Sequence, residues 1–291
     1  MEAKDIIKRV RKIEIKTRRM SNQIFSGHYH SAFKGRGMAF SEVREYQFGD
    51  DIRNIDWNVT ARFNQPFIKV FEEERELTVM MLIDVSASNL FGSNQNFKSE
   101  VITELAAVLA FSAIQNNDKV GVIFFSNHVE KFIAPAKGRS HILRIIREMI
   151  DFQATEKGTN IEEALRYLTN AIKKKCTTFI MSDFNDQNYK SALQIAGKKH
   201  DIAAIKVNDQ REMELPDMGL IKVQDAENLQ EKFIDTSDWN VRKAYIDWHR
   251  QQHEYAIQSF RHSGVDHVEV FTGQDYVMPL LKLFKMRESR Y

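Results

Sequence analysis

From Leu77 onward, short apolar runs rich in β-formers alternate with longer stretches in which apolar residues recur every three or four positions. That alternation is the mark of an α/β fold built on a mainly parallel sheet. Strands are expected at residues 77–84, 119–126, 177–183, 202–207 and 267–271, with helices at 97–116, 140–152, 161–174 and 189–199 between them. The run "HVEKFIAPA" (128–136) reads as an antiparallel edge strand beside 119–126, and 219–234 as a hairpin at the sheet edge. A long helix follows at 238–262, with Asp238 to cap it and Gly264 to end it, then a last helix at 274–287. The first 76 residues differ in kind: they carry glycines at 27, 35, 37 and 49, dense charge of both signs and no long period. The expected architecture is therefore a doubly wound, mainly parallel α/β domain over 77–291, preceded by a small irregular or β module over 1–76 with no flexible linker between them.

With 291 residues, 43% of them hydrophobic and only 4 Pro, the chain can bury a large core. Its 42 basic and 40 acidic residues leave a net charge of +2 and no global field of the kind that gathers nucleic acid or membrane. A single cysteine, Cys176, excludes an internal disulfide, and the amino terminus is too charged for a secretory signal. The longest apolar stretches, such as 105–114, are half the roughly 20 residues of a membrane span, so a cytoplasmic protein is expected, reaching a membrane only through a partner. A basic helix over 5–20 aligns Ile6, Val10 and Ile13 but lacks Trp, Phe and Leu anchors, which favours a docked helix over a membrane-surface one.

Chemistry enters at "LTVMMLIDVSASNLFGS", where a buried-type strand ends on Asp84 and serines follow at 86 and 88. In open parallel sheets ligands bind beyond the carboxyl ends of the strands. Mg2+ takes six oxygens, and alternating residues of an extended loop turn Asp84, Ser86 and Ser88 to one side. "EKGTNIEEAL" adds Thr159 before a helix, and "TTFIMSDFNDQ" adds Asp183 at another strand end. Plainer readings exist for each: turn capping by Asp84 and the serines, a Thr159–Glu162 capping box, and an ordinary turn at Asp183. Together the five resemble the metal-ion-dependent adhesion site of von Willebrand factor A domains. The resemblance implies Mg2+, with Mn2+ or Ca2+ as alternatives, held directly by Ser86 and Ser88, directly or through water by Thr159, and through water by Asp84 and Asp183. A partner carboxylate would take the remaining position. Phe184 stands where many such domains have Gly and is expected to narrow access.

Upstream, Gly35, Gly37 and Phe40, then "REYQFGDDIRNIDW" and "ARFNQPFIKVFEEERE", resemble the signature of the bacterial family catalogued as domain of unknown function fifty-eight. That resemblance implies a non-enzymatic adaptor working with a MoxR-type AAA+ ATPase in chaperone-like assembly or in stress and envelope functions. Read physically, Arg44, Arg53 and Arg62 can fork onto Asp50, Asp51 and Asp56, and with Trp57 and Tyr46 they are expected to form a buried polar network rather than a partner-binding surface. The competing class is a Mg2+-dependent phosphoryl-transfer enzyme with Asp84 as nucleophile, for which the second carboxylate of a D-x-D pair is missing and Lys206 is the only candidate phosphate clamp. No P-loop, H-E-x-x-H, paired C-x-x-C or G-x-S-x-G occurs. His249 and His253, and His28 and His30, are spaced for zinc but read better as solvated side chains.

Overall fold

A computed structural model describes residues 10–14, 16, 39–63, 65–72, 77–90, 97–152, 154, 158–224 and 231–288. The chain forms two units, Lys34–Glu76 and, separately, Leu77–Tyr291 together with Met1–Phe33. Residues 10–14 and 16 thus group with the sheet domain, whereas the sequence division had put 1–76 together. The glycines at 27, 35 and 37, His28 and His30 lie outside the described residues.

In the smaller unit, β1 (Ala39–Glu45) and β2 (Phe67–Glu72) pair antiparallel, with a register shift between Phe40 and Glu42. Between them come a 3-10 turn at Ile52–Asn54 and α1 (Trp57–Phe63). Asp51 accepts the Arg53 N–H, and Asp56 accepts the N–H groups of Asn58 and Val59, so both acids act as turn formers. Arg44 forks onto Asp50 at 2.9 and 2.8 Å, and Arg53 onto Asp51 at 2.7 Å. The expected buried network is corrected here. The forks close onto acids two to six residues away, the Arg53 side chain is 86% exposed, Trp57 is 70% exposed and Arg62 is exposed. Among the residues of this unit whose side chains are described, Ile68 alone is buried and apolar. An exposed pair this local contributes little.

The larger unit is built on six strands. They are β3 (Thr78–Asp84), β4 (Lys119–Phe125), β5 (Val129–Ala136), β6 (Thr177–Ser182), β7 (Asp201–Asn208) and β10 (Asp266–Phe271), in the order β10-β7-β6-β3-β4-β5. All neighbours are parallel except β5, which runs antiparallel along β4 at one edge. Side chains alternate between the two faces with the strand period of two. Val79, Met81 and Ile83 meet α2 (Lys98–Gln115), α3 (Arg139–Asp151) and α7 (Val277–Glu288). Met80 and Leu82 meet α4 (Ile161–Ala171), α5 (Lys190–Lys199) and α6 (Trp239–Ser263). The result is a three-layer α/β/α domain with apolar cores on both faces, as the sequence pattern predicts.

Val10 and Ile13 pack against the first of these cores, and Lys16 lies 2.5 Å from Glu104, so this part of the basic segment is docked. Asp238 caps α6 and Gly264 ends it in the left-handed conformation. The 219–234 hairpin forms, as β8 (Leu220–Gln224) and β9 (Glu231–Asp235), but as a separate two-stranded sheet. Its expected place at the edge of the main sheet is corrected, because those edges are β10 and β5. Among the described residues no helix is long and apolar enough to cross a membrane.

Two substitutions test this account. At Gly121, in the middle of β4, an added Cβ would stand 2.7 Å from Met80 Sδ and 3.0 Å from both Ile133 O and Pro135 Cγ. Gly121→Ala is expected to destabilise the sheet domain by about 1–3 kcal/mol in urea melts. Arg53→Ala is expected to leave the melting temperature unchanged within error, since its pair sits in water.

Candidate functional site

Strand order reverses at β3: β4 and β5 lie to one side, and β6, β7 and β10 to the other. The crevice between the ends of β3 and β6 is therefore the switch point where open α/β sheets place their ligands. Asp84 is the last residue of β3 and Asp183 the first after β6, and both are buried. The Ser182 hydroxyl donates to Asp84 Oδ2 at 2.6 Å and the Ser86 N–H to Oδ1 at 2.9 Å. Burial, with the Asp183 charge next, pushes the Asp84 carboxyl up to about 6.

The loop after β3 is folded back by Asn89, whose amide donates to the Asp84 carbonyl at 3.1 Å. This brings the Ser86 and Ser88 hydroxyls to 3.0 Å. With Mg–O distances of about 2.0–2.1 Å, adjacent oxygens of an octahedron lie about 2.9 Å apart. The two serines therefore match one edge of a Mg2+ shell. Among the described residues no three His, Cys, Asp or Glu side chains gather closely enough to hold a metal, so a cation here would rest mainly on hydroxyls. At the other candidate, His253 instead lies 3.8 Å from a Glu269 oxygen.

Thr159 lies half-buried in the loop before α4, and the Asn160 N–H donates to Ser126 O at 2.8 Å, holding that loop beside the end of β4. The Thr159–Glu162 capping box does not form. Asn160 is the cap, accepting the Glu163 N–H at 3.0 Å, while Asp186 accepts the Ile161 N–H at 2.8 Å. Among the described residues the Thr159 hydroxyl has no hydrogen-bond partner.

Asp183 is differently placed. Its Oδ2 accepts from Lys98 Nζ at 2.9 Å, its Oδ1 from the Asn185 N–H at 3.2 Å, and its carbonyl from Lys206. Lys98 Nζ also lies 2.8 Å from Glu212 Oε1. Burial opposes the charge on Asp183, yet the Lys98 ammonium more than reverses this and holds the carboxyl below its usual value. Burial likewise opposes the charge on Lys98, which Asp183 and Glu212 overcome, raising it. Burial pushes Glu212 up and Lys206 down. Lys98 and Glu212 escape a reading of the sequence, and Lys206 is engaged with a buried backbone carbonyl rather than open to a phosphate.

Phe184 does not narrow the site. With φ at +55° it turns its ring into the apolar layer, edge-on to Phe260 at 4.8 Å and 6.1 Å from Tyr189. The left-handed conformation costs about 1–2 kcal/mol, less than the roughly 1.5–3 kcal/mol gained by burying such a side chain.

Asp84 yields a pH test. Its carboxyl titrates near 3.8 when unfolded and near 6 when folded, so folding takes up a proton between those values and stability falls as pH rises through that window. Above it the penalty is fully present. Urea melts in chelator at about pH 4 and about pH 7 are expected to show this fall in the wild type and a smaller one in Asp84→Asn.

Residues 42–255 match the family described as "Protein of unknown function DUF58". An uncharacterized protein of Mycobacterium tuberculosis (strain H37Rv) is 30% identical over 223 residues, covering 75% of this chain and 70% of that protein. Uncharacterized protein YeaD of Bacillus subtilis (strain 168) is 30% identical over 110 residues, 38% of this chain and 25% of that one. Similar solved structures include an aerotolerance-related membrane protein from Bacteroides fragilis, at 14% identity and a TM-score of 0.49, covering 74% of this chain and 100% of that one. Another is the VWA domain of SpRpn10, at 9% identity and a TM-score of 0.41, covering 73% and 95%. Likenesses this distant carry no functional inference. The family match, by contrast, spans most of the chain and includes most of the smaller unit and both strand-end aspartates. The chain belongs to the DUF58 family.

Proposed function

We propose that the chain is a non-enzymatic docking protein whose strand-end site holds Mg2+ and, through it, a carboxylate of a protein partner. The observation behind this reading is the pair of Ser86 and Ser88 hydroxyls, 3.0 Å apart at the topological switch point. These two would hold the cation, and Thr159, whose hydroxyl makes no other bond among the described residues, would join them. Bound Mg2+ supplies positive charge that neutral hydroxyls leave unmatched, which draws in an anion. Asp84 shapes the loop by taking the Ser86 N–H and supplies negative charge behind it. Asp183, the fifth residue of the set that the resemblance implies, sits at the neighbouring strand end with its Oδ2 taken by Lys98. The partner class implied by the family resemblance is a MoxR-type AAA+ ATPase in chaperone-like assembly.

A nucleophilic Asp84 fits the geometry less well. The side chain is buried and both carboxylate oxygens accept hydrogen bonds from Ser86 and Ser182. A nucleophile needs a lone pair aimed at open space.

Titration calorimetry with Mg2+ and Mn2+ tests the site. The wild type is expected to bind, and a Ser86→Ala/Thr159→Ala double variant to lose at least about tenfold in affinity, since two of the hard oxygen ligands are gone. Retention of an AAA+ ATPase from bacterial lysate should follow the same pattern and vanish in chelator. Unaltered metal affinity in the variant would sink the reading. Mg2+-dependent phosphatase activity abolished by Asp84→Asn would replace it with the enzymatic one.

A further inference from the structure

Lys98 is the first residue of α2, and its side chain has no surface in water. Its ammonium lies 2.9 Å from Asp183 Oδ2 and 2.8 Å from Glu212 Oε1. It thereby ties the start of α2 to the end of β6 and to the 3-10 turn at Gln210–Glu212 that follows β7. A buried ammonium persists only when paired and hydrogen-bonded. The consequence falls on Asp183, whose negative charge is matched inside the protein before any metal arrives. Asp84 differs, since the hydrogen bonds to its two oxygens come from the neutral groups of Ser86 and Ser182.

We propose that Lys98 is the built-in cation of this site: it holds Asp183 out of the metal set, so that the site folds without metal and binds a divalent cation weakly and exchangeably. The inference rests on the Mg2+ reading above. One carboxylate cannot neutralise an ammonium and a divalent ion at once, and two cations sharing a buried rim repel each other. With Asp183 committed, the cation at Ser86 and Ser88 is short of negative charge. A partner's carboxylate then completes the set, and metal and partner bind each other's complex better than either binds alone.

The test uses the full chain and MgCl2, with calorimetry for affinity and thermal melts in chelator for the metal-free state. Lys98→Met is expected to melt lower without metal, to bind Mg2+ at least about tenfold more tightly than wild type, and to recover stability as Mg2+ is added. Adding Ser86→Ala to Lys98→Met should remove that binding, which locates it. Should Lys98→Met fail to fold, the double variant Lys98→Met/Asp183→Asn decides, because it removes the buried Asp183 charge together with that of Lys98 and leaves only Glu212, 20% exposed, without its cation. Affinity for Mg2+ within about threefold of wild type in this double variant supports the proposal, since Asp183 then served Lys98 alone. Loss of binding there would mean that Asp183 serves the metal and overturns it. Wild-type binding that is equal or weaker in a folded Lys98→Met also overturns it, while leaving the Mg2+ site standing. Binding in Lys98→Met but none in wild type overturns the proposal, which has the native site bind weakly, and removes the Mg2+ reading for the native chain. No binding in any variant overturns both.

Discussion

A lysine with no surface in water must have its charge matched at contact distance, and the rim of this sheet is arranged around that condition. Asp183 and Glu212 meet the Lys98 ammonium from two different strand ends, so three segments that are remote in sequence are held at one point. The helix does not help, because the first turn of α2 carries the positive end of its dipole and disfavours a cation. The carboxylates alone hold Lys98 in place. Around this pair, Asp84 gathers its own hydrogen bonds from Ser86 and Ser182, and the serine loop is shaped as a result.

The core of the fold was legible because its strands are buried on both faces. β3 reads as an unbroken apolar run from Val79 to Ile83 for that reason, and the amphipathic helices such as α4, with Ile161, Ala164, Leu165 and Leu168 inward, show the spacing of one buried stripe. The strand-end Asp84 and its serines were legible because an acid closing such a run is out of character. Lys98 was not, since "FKSE" reads as solvated helix surface, and its partners lie 85 and 114 residues away. Its one local clue is its place at a helix start, where acids are favoured. The capping box at Thr159 was a sound local inference that lost to its neighbour: Asn160 is the better cap. The hairpin of β8 and β9 was readable as a hairpin, whereas its separation from the main sheet depends on which strands occupy the edges.

The charged module shows the opposite relation between sequence and structure. Its acids and arginines are dense enough to suggest a buried network, and they do pair, but with near neighbours. Arg44 finds Asp50 and Arg53 finds Asp51 inside single turns, which leaves the charges at the surface. Density of opposite charge thus shapes turns here, while the sparse charges of the sheet domain bridge distant strands. Ion pairs matter structurally in proportion to the chain they span and the water they exclude.

The bond from Ser182 to Asp84 spans 98 residues. At ribosomal speeds of about 5–20 residues per second, β3 waits about 5–20 s before its β6 neighbour exists. In that interval β3 can pair with β4, since the Asp118 side chain reaches back to the Leu77 N–H across only 41 residues, but its other edge stays open. The two aspartates meet late, and Glu212 closes on Lys98 later still. The nascent chain therefore carries an apolar, unpaired strand edge for seconds, until β6 covers it and Ser182 reaches Asp84.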